Sequence, residues 1–288
     1  MRISTWNIEG RLSRFSRAGQ RGSPEGIIQN IQKLDSDIIF LPEAFDQKRM
    51  LEPQISQQVK GLGYKILDVG YEEKGERKFA AVIKPHMLLL SRFTIDNFQK
   101  IRLGDSRNMM VLDVQDPSSG KIVRFFCIHL DDRTERGRLG QIKTLIPYIN
   151  DSKFPVIVMG DFNAMHGYSR SAIILRSKVT STLIKAVPHL QTKDILLRLS
   201  EMGTGDTLQQ IRTFANLTDA DTSNSPTTTP KMRGQEYMPS IRLFQIDHIF
   251  ISPEIEVIDF SVSKDGGSDH RAVSATVRIA GQNNTPVL

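Results

Sequence analysis

The chain has 288 residues, of which 39% are hydrophobic and 24% charged, enough length and apolar content for a sizeable core in an ordinary globular protein. Lys and Arg number 38 against 32 Asp and Glu, a formal net charge of +6, which favours acidic partners without choosing among nucleic acid, phosphorylated small molecules and anionic lipid. A single cysteine, Cys127, excludes an intramolecular disulfide. The lack of any apolar run of about 18 residues excludes a membrane-spanning helix.

Ile3 to Trp6 reads as a first strand ending at Asn7, followed by a polar loop, Gly10 to Ser23, that carries Arg11, Arg14, Arg17 and Arg21. Ser23-Pro24-Glu25 reads as a helix start, with Ile27, Ile28, Ile31 and Leu34 at helical spacing. Asp37 to Leu41 is a second buried strand that stops at Pro42-Glu43, and residues 48 to 60 read as a weaker helix interrupted by Pro53. Strands are then expected at Tyr64–Asp68, Phe79–Lys84, Met87–Ser91, Met109–Val114 and Ile122–Leu130, the last two joined by the hairpin signal Asp116-Pro117-Ser118-Ser119-Gly120. Cys127 falls inside the last of these runs and reads as a small buried hydrophobe.

Leu139, Ile142, Leu145, Ile146 and Ile149 mark an amphipathic helix kinked at Pro147. Val156 to Gly160 follows as a strand buried on both faces, with Gly160 turning the backbone before Asp161 and Asn163. Residues 169 to 217 read as largely helical, broken at Pro188 and near Gly203-Gly205, and Asp219 to Ser240, rich in Thr, Ser, Pro and Asp, as a long surface loop. Ile246–Ile251, Ile255–Val262 and Ala272–Ile279 complete the strands. The composition shifts nowhere, so residues 1–280 are expected to form a single domain and 281–288 a loose tail. Hairpin-spaced strands mixed with helices imply an α+β layered sandwich.

Polar residues recur at the ends of the apolar strands. Asn7, Glu43, His129, Asp161 and Asn163 follow or finish four of them; Asp247-His248 opens one and Asp269-His270 precedes the last. Each needs a partner or solvent, so repetition of this pattern is poorly explained by stability. If these ends share one rim, oxygen ligands without cysteine favour a hard cation, Mg²⁺ or Mn²⁺. Histidines beside carboxylates can protonate or stabilise phosphoryl oxygens, and the combination points to metal-assisted phosphoester hydrolysis with water as nucleophile. No Gly-x-Ser-x-Gly turn or phosphate-binding Gly-Lys-Ser/Thr loop is present.

Thr5-Trp6-Asn7-Ile8-Glu9-Gly10, Leu41-Pro42-Glu43, Ile128-His129-Leu130, Gly160-Asp161-Phe162-Asn163, Ile246-Asp247-His248-Ile249 and Ser268-Asp269-His270 together resemble the ordered motif set of the endonuclease/exonuclease/phosphatase superfamily, which includes deoxyribonuclease I. The resemblance implies a four-layer α/β/β/α sandwich, deoxyribonuclease I-like, with two packed mixed sheets flanked by helices. It implies Glu43 as main metal ligand, with Asn7 and Asp269 at the metal side. Asp161 would orient or deprotonate water, Asn163 would hold a phosphate oxygen, and His129 would be a second imidazole at the phosphate. His270, positioned by Asp247, would stabilise the transition state. Whether Asp161 or the His270–Asp247 pair is the base stays open.

Pro42 replaces the Gln common in that motif, and His248, alternating with Asp247, is expected to face away. His166, Tyr168, Arg14 and Arg17 are candidate substrate contacts. Nucleic acid is the favoured substrate and partner. The alternatives are a small phosphoester, inositol phosphate or phospholipid head group and, more remotely, an inactive binding scaffold. The N-terminus lacks a signal-peptide pattern, which with the absent membrane span gives a cytoplasmic expectation. A monomer is the default.

Overall fold

The computed structural model describes residues 1–9, 12, 24–46, 51, 53–71, 85–104, 107–186, 190–228, 243–264 and 268–280. Arg14, Arg17, the expected strand Phe79–Lys84 and the tail 281–288 lie outside them.

Two six-stranded mixed sheets pack face to face with helices on their outer faces. In chain order the first sheet takes β1 (Arg2–Thr5), β2 (Ile38–Asp46), β3 (Lys65–Tyr71), β4 (Pro85–Ser91), β11 (Ile255–Val262) and β12 (Val273–Ile279), with spatial order β11-β12-β1-β2-β4-β3. The second takes β5 (Ile95–Leu103), β6 (Arg107–Gln115), β7 (Ile122–His129), β8 (Val156–Asp161), β9 (Thr218–Asp219) and β10 (Asp247–Ile251), with order β5-β6-β7-β8-β10-β9. The expected layered sandwich is therefore what forms.

Side-chain alternation along the strands divides the core into layers. Ile3, Phe40, Cys127, Met159 and Ile249 point into the seam between sheets. Their neighbours Ile39 and Leu41 turn outward beneath α1 (Pro24–Leu34) and α2 (Pro53–Gly61). On the other side Phe126, Val158 and Phe250 pack under α3 (Glu135–Asn150) and α7 (Asp206–Phe214). Cys127 is fully buried and its thiol is pushed up by that burial.

Four expectations change. The weak helix begins at Pro53, because proline's missing N–H is harmless in a first turn. β5 was not expected; among the described residues it is a sheet edge paired only to β6, polar on most of its length and shifted in register near Ile95 and Asn97, so its alternation is broken. The reading of 219–240 as surface loop holds for only the middle of its described part, 219–228: Thr222, Ser223 and Pro226 are exposed, but Asp219, Asp221, Thr227 and Thr228 are buried. Gly160 is no turn either. It lies within β8 at φ +150°, and a Cβ there would fall 1.8 Å from the Ile128 carbonyl oxygen.

Candidate active site

Strand direction brings the polar ends together. β7 and β8 run parallel, pairing His129 with Asp161, while β10 runs antiparallel to β8 and sets its first residue, Asp247, opposite Asp161. In the first sheet β1 and β2 are parallel, so Asn7 and Glu43 leave from one end, and antiparallel β12 starts at that same end just after His270. The first residues of some strands and the last residues of others thus share one rim.

A bulge aims Glu43. Register between β2 and β4 slips between Leu41 and Phe45, and Glu43 takes φ +51°. The Pro42 carbonyl still accepts the Ile8 N–H, at 3.4 Å, so proline at this position leaves the link to the first motif intact. Asn163 is likewise left-handed, φ +49°, with its N–H on Asp161 Oδ1 at 2.9 Å. Such non-glycine conformations carry strain and gather at functional sites.

Asp161 is the hub. Its Oδ2 accepts from Asn7 Nδ2 at 2.9 Å and lies 3.8 Å from His129 Nε2 and 3.9 Å from His270 Nε2. Burial, then the nearby Asp247 carboxylate, push its pKa up to about 6. His129 Nε2 is 3.5 Å from Glu43 Oε1. Burial raises Glu43 to about 7, with Asp161 and Asp269 adding repulsion and the Arg107 cation pulling the other way.

The two rim histidines differ. His270 Nδ1 is 2.8 Å from Asp247 Oδ2. Burial alone would lower His270, but Asp247, Asp269 and Asp161 outweigh it and hold the ring well above its ordinary value. His129 is held well below by burial, the Arg107 charge and His270. Trp6, fully buried, donates its indole N–H to the His270 carbonyl at 3.2 Å, and Ser268 Oγ bonds the Asn7 carbonyl at 2.8 Å.

The sequence reading missed two contributors. Thr227 Oγ1 donates to Asp247 Oδ2 at 2.7 Å, fixing the carboxylate that holds His270. It sits in a Thr/Ser/Pro-rich stretch without periodicity, so nothing marked it. Arg107, almost fully buried, places Nη1 2.9 Å from His129 Nδ1 and Nη2 3.2 Å from Asp132 Oδ1. A lone arginine opening a strand gave no signal.

His166 is brought elsewhere. As alternation requires, His248 turns to the outer face of the sheet, where its Nδ1 is 2.7 Å from Asp219 Oδ2 and its Nε2 3.0 Å from the Ala164 carbonyl. His166 Nε2 meets the same Asp219 oxygen at 2.8 Å, and Tyr168 stacks on the His166 ring at 4.9 Å, 57% exposed. Against the expectation of a substrate cleft, His166 is thus buried in a clamp tying β9, β10 and the loop after β8.

Glu43, Asp161 and Asp269 gather at the rim with two histidines, and Asp161, Asp247 and His270 offer ligand atoms within 4.8 Å of one another. Repulsion and desolvation among these oxygens are relieved by a hard divalent cation, so the donor set suits one. A model of the endonuclease/exonuclease/phosphatase family matches residues 4–270. The chain belongs to this family. Its members are hydrolases acting on phosphoesters and generally depend on a divalent metal.

A sequence comparison with proteins of curated function returns no match. Among solved structures, the human Nocturnin catalytic domain with bound sulfate is similar at TM-score 0.64 and 17% identity, over 97% of this chain and 94% of that one. The Bacteroides thetaiotaomicron mannosyl-6-phosphatase follows at 0.55 and 18%, over 97% and 100%. A 3′ phosphatase from Neisseria bound to product DNA hairpin gives 0.58 and 16%, over 96% and 99%. At these identities the likeness concerns the fold.

Proposed function

We propose that this family member hydrolyses phosphoester bonds with Mg²⁺ or Mn²⁺, nucleic-acid phosphodiesters being the favoured substrate. The observation that carries the reading is the meeting of Asn7, Glu43, His129, Asp161, Asp247 and His270 on one rim, from six separate segments.

Glu43, with Asn7 and Asp269, would hold the cation. Bound there, it would neutralise phosphate charge and ease deprotonation of water. Asp161 is held by Asn7 and the Asn163 N–H and serves to orient the attacking water and accept its proton. Asn163 spends one amide N–H on the Leu130 carbonyl at 3.1 Å, leaving the second for a phosphate oxygen. His270, kept cationic by Asp247, stabilises charge on the phosphoryl oxygens, and His129 presents a neutral N–H to the same group.

The net charge of +6 and the DNA-bound neighbour favour nucleic acid. The neighbouring mannosyl phosphatase keeps a small phosphoester as second reading. The test is product release from supercoiled plasmid, abasic and 3′-phosphorylated oligonucleotides, bis-p-nitrophenyl phosphate, sugar and inositol phosphates, and sphingomyelin, with Mg²⁺, Mn²⁺ or EDTA. Metal-dependent chain cleavage of the plasmid or the abasic oligonucleotide supports the first reading. Turnover confined to small esters supports the second, and release of the 3′-phosphate alone would keep nucleic acid as substrate but make the enzyme a phosphomonoesterase. A panel left intact in both metals refutes the enzyme.

A further inference from the structure

The stretch just beyond the Asp161 motif has a composition unlike the rest of the chain. Between Asp161 and Asp194 there is no Asp or Glu, in a protein that carries 32 of them in 288 residues. The same interval holds Arg170, Arg176, Lys178, Lys185 and Lys193. It builds α4 (Arg170–Leu175) and α5 (Lys178–Ala186), whose Ser177 N–H and Thr180 hydroxyl both bond the Ile174 carbonyl, so the second helix starts against the end of the first.

On this corner Ile173 is 55% exposed, Ile174 63% and Val179 69%. Ala172 and Ile184, on the same helices, are buried, so the exposed three are not simply the outer part of a helix that fails to pack. Arg170, Arg176, Lys178 and Lys185 are exposed beside them. Branched aliphatic side chains presented to water on two helices that also carry exposed cations form an amphipathic surface of the kind that lies on a bilayer, its apolar tips entering the head-group layer and its cations meeting lipid phosphates. The exposed carboxylate on the neighbouring helix, Asp194, is paired to Arg198 at 2.8 Å.

Two other occupants fit less well. Single-stranded nucleic acid is gripped by cations together with planar side chains on which bases stack. Ile and Val offer no such face, and the exposed ring of Tyr168 just before α4 already has one face stacked on His166. A second copy would set one cationic surface against another, since the same patch meets itself across a two-fold axis.

The corner also adjoins the rim. Ser171 Oγ bonds the Leu243 carbonyl, Leu243 N–H bonds Thr228, and Thr228 bridges to His270. α4 is thereby tied to His270 through Leu243 and Thr228.

We propose that α4 and α5 form a docking surface for anionic phospholipid bilayers, an inference that stands apart from which phosphoester the rim hydrolyses. The experiment is co-sedimentation of the full chain with phosphatidylcholine vesicles, with and without phosphatidylglycerol, at low and high salt. Three versions are compared: the native chain, Ile174→Asp with Val179→Asp, and Lys178→Glu with Lys185→Glu. All four positions are exposed, and thermal melts establish that the variants fold.

The expected result is partitioning at least about tenfold stronger onto the anionic vesicles at low salt, loss of that excess at high salt, and a fall of about tenfold or more in both variants. Equal partitioning onto both vesicle types, or binding that both folded variants retain, overturns the proposal. So does concentration-dependent self-association of the lipid-free chain that the Ile174→Asp, Val179→Asp variant abolishes, because the patch would then be a subunit interface.

Discussion

Arg107 Nη1 lies 2.9 Å from His129 Nδ1. A guanidinium can only donate hydrogen bonds, so Nδ1 accepts and the ring's proton sits on Nε2, the nitrogen that faces Glu43 and Asp161 at 3.5 and 3.8 Å. One buried cation thereby sets the tautomer of a rim histidine and tempers the carboxylates around it. Asp132 in turn steadies the arginine from its other side.

Arg107→Ala should lower turnover by about 10- to 100-fold, as loss of one oriented donor does, with part of the activity restored by added guanidinium. Steady-state rates with and without that cation check it. Failure of guanidinium to restore any rate in a folded variant would argue that Arg107 only supports the fold.

Glu43, raised to about 7 by burial and like charges, should be the residue through which metal stabilises the protein. Melting temperature is expected to rise with Mn²⁺ or Mg²⁺ in the native chain and to stay flat in Glu43→Gln, whose turnover falls by about 10²-fold or more. An equal metal-induced shift in the variant would move the metal site elsewhere.

Turnover should decline as the pH falls from about 7 through about 6, where Glu43 and then Asp161 take up protons, the first weakening its hold on a cation and the second no longer able to accept a proton from water. On the alkaline side it should decline as His270 loses its charge. Asp247→Asn removes the carboxylate that holds His270 up and is expected to pull the alkaline limb to lower pH, with a rate loss of about 10²-fold or more. Unchanged limbs in this variant would dissociate His270 from the pH profile.

The His248–Asp219 clamp should stabilise the fold over a defined pH window. Burial opposes the His248 charge, but Asp219 overrides it and holds the ring above its ordinary value. Its contribution is therefore full below about pH 6.5, the unfolded value, and fades as the pH rises through the folded one. Asp219, for which burial is outweighed by His248 and His166, is held at about 2. Its contribution is present above about pH 4 and fades as the pH falls towards 2. His248→Gln should cost most between these limits, about 3 kcal/mol, and less in alkali. Chemical denaturation across pH measures this, and a pH-independent deficit would contradict it.

Gly160→Ala should cost about 3 kcal/mol or more, because the added methyl meets the Ile128 carbonyl oxygen within a central strand pair. Chemical denaturation against the native chain is the check. A loss below about 1 kcal/mol would show that β7 and β8 can separate at no great cost.

Much of the architecture was legible in local pattern. Val156-Ile157-Val158-Met159 could be read as a buried strand and Ile27, Ile28, Ile31 and Leu34 as one helix face, because burial repeats with the backbone period. β5 was not legible, since an edge strand is free to carry charge and its bulge breaks the alternation. Gly160 was misread because a glycine between apolar residues looks the same whether it turns the chain or admits a neighbour's carbonyl.

The motif residues were all present in the sequence: Asn7, Glu43, His129, Asp161, Asn163, Asp247, Asp269 and His270 stand at strand ends, and together they pointed to the phosphoesterase family to which the chain belongs. The tertiary structure alone decided which of them face one another, through strand direction: parallel β7 and β8, and antiparallel β10 and β12, bring first and last residues to one rim. It alone recruited Arg107 and Thr227, and it alone sent His166 to Asp219. A side chain's partner across a sheet is fixed by register and face, which depend on contacts far apart in the chain, whereas the sequence states only how often each residue comes up on a given side.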